Sequence, residues 1–130
     1  MHRLTETAVE EALGYKAQGF TAVKMKIGLG SMKKDLDRIA AVRKAIGDDM
    51  LLMVDANHCF NVPQAIQIGK EMEKLGVHWF EEPISPEDLE GYRSVSDALD
   101  MSVAGGENEF TKFSFREIIQ RPFRRSNSCI

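Results

Sequence analysis

Three carboxylates recur along this chain, each where a strand should end. They are Asp55 in Met53-Val54-Asp55-Ala56-Asn57, Glu81 in Trp79-Phe80-Glu81-Glu82-Pro83, and Glu107 in Gly105-Gly106-Glu107-Asn108. Successive members stand 26 residues apart, about the length that a strand, a helix and two short loops consume. The spacing therefore assigns each carboxylate to the same point in successive βα units. In a parallel barrel such points converge on the C-terminal mouth, where active sites form. Three carboxylates brought together repel one another unless a cation sits among them. An all-oxygen set without Cys or His suits Mg²⁺. One unit earlier, at the matching strand end, stand Lys24 and Lys26. A metal beside a lysine pair is machinery for removing a proton from a carbon next to a carboxylate.

The elements that must position these groups alternate between helix and strand. Thr7-Ala8-Val9-Glu10 reads as a capping box opening a helix that ends before Gly19. Phe20 to Ile27 reads as a strand. Ser31 caps a predicted helix with Leu36, Ile39, Ala40, Arg43 and Ile46 on one face and Gly47 as its stop. Met50 to Ala56 is an apolar strand. Asn61 caps the next helix, with Ile66, Gly69, Met72 and Leu75 inward and Gly76 as stop. Val77 to Glu82 is a strand, and Ser85-Pro86 opens a helix with Leu89, Tyr92 and Leu99 inward. Met101 to Ala104 is a fourth strand, and a last helix covers roughly 114–120. Such alternation means a parallel sheet.

Side-chain parity gives the faces. Ala22, Lys24 and Lys26 point one way, and Val23, Met25 and Ile27 the other, toward the helices. Asp55 shares its face with Leu51, Met53 and Asn57, and Glu81 shares its face with Val77 and Trp79. Glu82 has the opposite parity and is left off the metal. His78 falls on the helix side. His58 and Cys59 beside Asp55 offer a transition-metal alternative, but no second Cys/His cluster supports it.

Composition bounds the class. A hydrophobic content of 43% and a charged content of 28% fit a soluble globular domain with a real core. A net charge of −3 gives no general attraction to nucleic acid or anionic membrane. No apolar run approaches the ~18–20 residues of a membrane span. The N-terminus lacks the apolar segment of a signal peptide. Cys59 and Cys129 form no framework and read as reduced thiols, so the expected location is the cytoplasm.

Together, Lys24-Met25-Lys26, Asp55-Ala56-Asn57, Glu81-Glu82-Pro83 and Gly106-Glu107-Asn108 resemble the barrel domain of the enolase superfamily. The likeness covers roughly residues 5–120. Glu107 in Gly-Glu-Asn looks like the mandelate racemase and acid-sugar dehydratase type; the muconate-lactonizing and dipeptide-epimerase type usually carries Asp there. The resemblance implies a partial TIM-type (β/α) barrel at 1–120, with about four parallel strands, and an irregular tail at 121–130.

It also implies roles. Asp55, Glu81 and Glu107 would bind one Mg²⁺. Lys26 would take the α-proton of a hydroxy or sugar acid carboxylate, in a racemase or dehydratase reaction. Lys24 would contact the substrate carboxylate and favour the neutral form of Lys26, because a lysine at its ordinary pKa of about 10.4 is a poor base near neutrality. Asn57 would support the metal or touch substrate. A lysine base with Mg²⁺ stabilising an enediolate is the known pattern of this superfamily, and it enters here only through the likeness.

The sequence also departs from the family. Later strands bring a His-Asp pair in the racemase-like subgroup, and His2, His58 and His78 are in the wrong places to replace it. The capping domain that closes over substrate has no counterpart, and residues 121–130 lack the apolar run of a next strand. The expectation is a truncated or frameshifted gene product, or an incomplete open reading frame, with impaired turnover. The alternative is a non-catalytic barrel remnant that keeps the three metal ligands and self-associates as a homo-oligomer by pairing its sheet edges.

Overall fold

The computed structural model describes residues 3–105. Four helices and four strands alternate in it: α1 (Arg3–Ala17), β1 (Ala22–Lys26), α2 (Met32–Ile46), β2 (Leu51–Asp55), α3 (Val62–Lys74), β3 (Val77–Glu81), α4 (Leu89–Ala98) and β4 (Ser102–Ala104). The strands form one parallel sheet in the order β1-β2-β3-β4, as the helix–strand alternation predicts. Glu107, the expected helix at 114–120 and the tail at 121–130 lie outside the described residues.

The helix starts follow side-chain chemistry. Ser31 Oγ accepts the Lys34 N–H at 3.2 Å. Asn61 and Gln64 form a reciprocal capping box at 2.9 and 3.0 Å, satisfying two donors that the first turn of α3 would otherwise orphan. Two starts differ from expectation. α1 begins at Arg3 rather than near Thr7, because Arg, Leu and Glu ahead of Thr7 favour the helix and extend it by a turn. α4 begins at Leu89, capped by Asp88, whose Oδ1 accepts the Gly91 N–H at 2.8 Å. Ser85 and Pro86 instead form the turn before it, closed by Asp88 N–H on Ser85 O at 3.1 Å. Ser followed by Pro serves a turn as well as it serves a helix start.

The core lies between the sheet and its helices. Met25, Leu52, Val54, Phe80 and Val103 from the strands meet Ile39, Val42, Ile46, Ala65, Ile68, Met72, Tyr92, Val95 and Leu99 from the helices. Burying a side chain the size of Leu or Phe stabilises the fold by roughly 1.5–3 kcal/mol, so this layer fixes the sheet on which the polar face is mounted. The face expected of α2 is only partly found. Ile39 and Ile46 are buried, Leu36 and Ala40 are half-buried, and Asp35, Arg38 and Val42 are buried with them.

One strand departs from simple alternation. Leu52 pairs with Val77 and Met53 with Trp79, so His78 is an extra residue in a bulge. Val77 is thereby buried with Leu52 on the helix side, not on the face of Trp79 and Glu81, and His78 is exposed rather than turned to the helices. Without this bulge a one-residue slip would have carried Trp79 and Glu81 to the opposite face.

Candidate active site at the strand ends

The register aligns the polar groups in rows. Lys26 pairs with Asp55, Asp55 with Glu81, and Glu81 with Ala104. Two residues below, on the same face, run Lys24, Met53, Trp79 and Ser102. Residues in one register row share a face, so Lys24, Lys26, Asp55 and Glu81 occupy the C-terminal end of one face of the sheet. Backbone bonds extend the ladder past the strands: Ile27 N–H to Asp55 O, Ala56 N–H to Glu81 O and Glu82 N–H to Ala104 O, at 2.9–3.0 Å.

The side chains meet there. Lys24 Nζ donates to both carboxylate oxygens of Glu81 at 3.0 and 2.9 Å. Lys26 Nζ donates to Asp55 Oδ2 at 3.1 Å and to Asn57 Oδ1 at 2.7 Å. The other oxygen of Asp55 accepts the Asn57 N–H at 2.9 Å. Asp55 is buried while the Lys26 side chain is 62% exposed, so the carboxylate is fixed and the base candidate is free to swing. Asn57 joins the cluster by a route that parity did not anticipate. β2 ends at Asp55, and Asn57 and His58 both take left-handed backbone, φ 46° and 51°. Asn adopts that conformation more readily than most residues, and the turn brings its amide back over the strand end.

Behind β1, residues not picked out from the sequence hold Lys26 in place. Arg38 Nη1 donates to the Lys26 carbonyl at 3.2 Å, and Gly28 N–H donates to Asp35 Oδ2 at 3.1 Å. Burial pushes the Asp35 carboxyl up, against the pull of Gly28 N–H, Arg38 and Leu29 N–H. Gly28 has φ +93°, and a Cβ there would stand 2.6 Å from Cys59 Sγ, so both conformation and space demand glycine. Burial, then Asp35, push the Cys59 thiol up, which disfavours the thiolate that a soft metal would need. Asp35 and Arg38 stand three apart on α2, one turn before the buried Ile39 and Val42, a spacing that marks the inward face of the helix but not their partners.

Among the described residues, no three His, Cys, Asp or Glu side chains cluster to hold a metal. Asp55 and Glu81 supply two carboxylates, and Glu107 lies beyond the described part. The donors that are present are hard oxygens, two carboxylates and the Asn57 amide oxygen, which suit Mg²⁺. Each carboxylate is already paired with a lysine, Glu81 with Lys24 and Asp55 with Lys26.

Residues 7–123 match the enolase C-terminal domain-like family. The chain belongs to that family. It is 49% identical over 105 residues to D-galactarolactone cycloisomerase of Agrobacterium fabrum, a match covering 81% of this chain and 27% of that protein. It is 36% identical over 112 residues to arabinonate dehydratase of Saccharolobus solfataricus, covering 86% and 30%. A racemase from Streptomyces coelicolor A3(2), solved with bound magnesium, superposes with a TM-score of 0.85 at 36% identity, covering 90% of this chain and 35% of that one. This member thus resembles acid-sugar dehydratases, cycloisomerases and racemases, and spans about a third of their length. The four parallel strands with their helices are the corresponding part of the enolase-superfamily barrel. Among the described residues, no helix is long and apolar enough to cross a membrane.

Proposed function

We propose that this chain carries the metal-and-lysine part of a site that removes the α-proton of a hydroxy or sugar acid, the first step of racemisation or of loss of water. The observation that carries the reading is the row Lys26–Asp55–Glu81, in register on adjacent strand ends, with Lys24 bridging both oxygens of Glu81. Asp55 and Glu81, joined by Glu107, would hold one Mg²⁺. When bound, the metal supplies positive charge to the substrate carboxylate, lowering the cost of the charge that builds on its oxygens.

The chain's own residues do the rest. Lys26 leaves Asp55 and Asn57, and in its neutral form takes the proton from the α-carbon. The electron pair of the broken C–H bond passes into the substrate carboxylate. Lys24 leaves Glu81 and meets that carboxylate as a cation. Until substrate enters, Asn57 holds Lys26 beside Asp55 through the 2.7 Å contact of its amide oxygen. The partner is a small carboxylic acid, and the proposed setting is the cytoplasm.

The test is α-proton exchange in D₂O, followed by NMR, on a panel of hydroxy and sugar acids with Mg²⁺. Exchange is expected with at least one acid and is expected to stop with EDTA. No exchange with any acid, in folded protein, would sink the reading. Separately, Glu81→Gln is expected to weaken Mg²⁺ about 100-fold, since affinity at such sites follows ligand charge count. Unchanged affinity in calorimetry would overturn the ligand assignment.

A second reading draws on the polar face's lower rows. Leu51 is 46% exposed there, and Met53 and Trp79 are only half-buried. A second copy covering this face would make the chain a non-catalytic, self-associating unit. Sedimentation of a dimer that shows no exchange would favour it, and a monomer that exchanges would exclude it.

A further inference from the structure

Glu82 follows Glu81 directly, yet its side chain goes the opposite way, into the core. Its backbone lies at φ +49°, a left-handed conformation that residues with a Cβ adopt rarely and that persists only when the surroundings over-determine it. Three strand ends supply that constraint. Glu82 N–H donates to Ala104 O at 2.9 Å, His58 N–H donates to Glu82 O at 2.6 Å, and Phe60 N–H donates to Pro83 O at 3.2 Å. The Glu82 side chain is fully buried, and Tyr92 Oη donates to its Oε2 at 2.7 Å. The same hydroxyl stands 3.3 Å from Ile84 O.

Tyr92, on the first turn of α4 and 2% exposed, touches a second strand end. A Cβ added to Gly105 would stand 2.9 Å from Tyr92 Cε1 and 3.2 Å from Cζ and Oη. Gly105 follows the end of β4 and precedes Glu107 by two residues. One tyrosine therefore contacts the reversal that turns Glu81 away from Glu82 and also packs against Gly105 at the end of β4.

We propose that Tyr92 is a positioning residue for the metal ligand Glu81, acting through the buried Glu82 and held from its other side by the close approach of Gly105. The inference rests on the Mg²⁺ reading above. Its physical basis is that a hard cation needs its oxygens at closely set distances, so a small rotation of a strand end is felt as lost affinity. Removing such a supporting partner typically lowers metal affinity about 10–100-fold.

The experiment is Mg²⁺ titration by calorimetry of the full 130-residue chain, at a temperature where circular dichroism shows each variant folded. Tyr92→Phe keeps the ring and deletes the hydroxyl, and is expected to weaken Mg²⁺ about 10-fold or more. Gly105→Ala pushes on the same ring from the other side and is expected to weaken Mg²⁺ as well. Val95→Ala is the control: Val95 is fully buried on the same helix, so this change is expected to lower the melting temperature and leave Mg²⁺ affinity unchanged. Tyr92→Phe and Gly105→Ala that melt earlier but bind Mg²⁺ like the parent would make Tyr92 a packing residue only and overturn the proposal. If Tyr92→Phe does not fold, Gly105→Ala decides. A parent chain that binds no Mg²⁺ overturns the metal reading itself, and that failure is visible before any variant is made.

Discussion

Lys26→Ala is expected to abolish α-proton exchange, a loss of about 10³-fold, within the range a positioned general base contributes. The same change is expected to leave folding and metal binding intact, which is what makes it decisive. The Lys26 side chain is 62% exposed, and Asp55, though buried, keeps the Asn57 N–H at 2.9 Å, so the loss of stability is expected to be small. Removing Lys26 also takes away a cation that competes for Asp55, so Mg²⁺ affinity should hold or rise. A merely structural lysine would behave in the reverse way, with exchange retained and stability lowered. NMR exchange rates in D₂O, with Mg²⁺ affinity measured on the same sample, separate the two. Retained exchange in Lys26→Ala would move the base to another residue and remove the main support for the proposed chemistry.

The sheet and its polar row were legible because two signals agreed. The 26-residue interval fixed the strands that Asp55 and Glu81 end, and parity fixed the face of Lys24 and Lys26. The observed register of Lys26, Asp55 and Glu81 follows from both. The His78 bulge was not legible, since Val77 to Glu82 reads as one unbroken strand and nothing in its composition marks an extra residue. Asn57 was placed correctly for an incorrect reason: parity stops at Asp55, and the left-handed turn does the work. The start of α4 was misplaced because Ser85-Pro86 fits a turn and a helix cap equally.

The larger gap concerns partners rather than positions. Glu82 was set aside by parity and Tyr92 was read only as inward-facing. A buried tyrosine hydroxyl usually finds a partner, and a buried carboxyl must have one. Which pair forms depends on where α4 crosses the sheet, a tertiary fact that no local pattern carries. The same holds for Asp35 and Arg38. Each was a charged residue on a helix face whose apolar neighbours pointed inward, and only the docking of α2 on β1 shows that they serve Gly28 and Lys26.

Arg43 gives the largest expected effect on stability. Its guanidinium donates to four carbonyls at the end of the sheet opposite the candidate site: Leu75 O and Gly76 O at 2.8 Å, Gly47 O at 2.8 Å and Met50 O at 2.7 Å. Leu75 is the C-cap of α3, Gly47 the C-cap of α2, and Met50 immediately precedes β2. One side chain thus joins two helix ends to the start of a strand, and its charge also complements the negative ends of both helix dipoles. Arg43→Met keeps the aliphatic stem and removes all four bonds. A hydrogen bond to a charged group contributes about 1.5–3 kcal/mol. Water replaces some of the lost donors at this partly exposed site, so the net cost is expected to be roughly 3 kcal/mol rather than the full sum. For a domain of this size that corresponds to a fall in melting temperature of roughly 10–15 °C. Because these bonds lie at the far end of the strands, Mg²⁺ affinity of the folded variant should match the parent. Urea unfolding read by circular dichroism measures the first expectation and calorimetry the second. A loss below about 1 kcal/mol, the ordinary effect of a surface substitution or little more, would mean that the four carbonyls are held by the backbone turns themselves and that the arginine only decorates them.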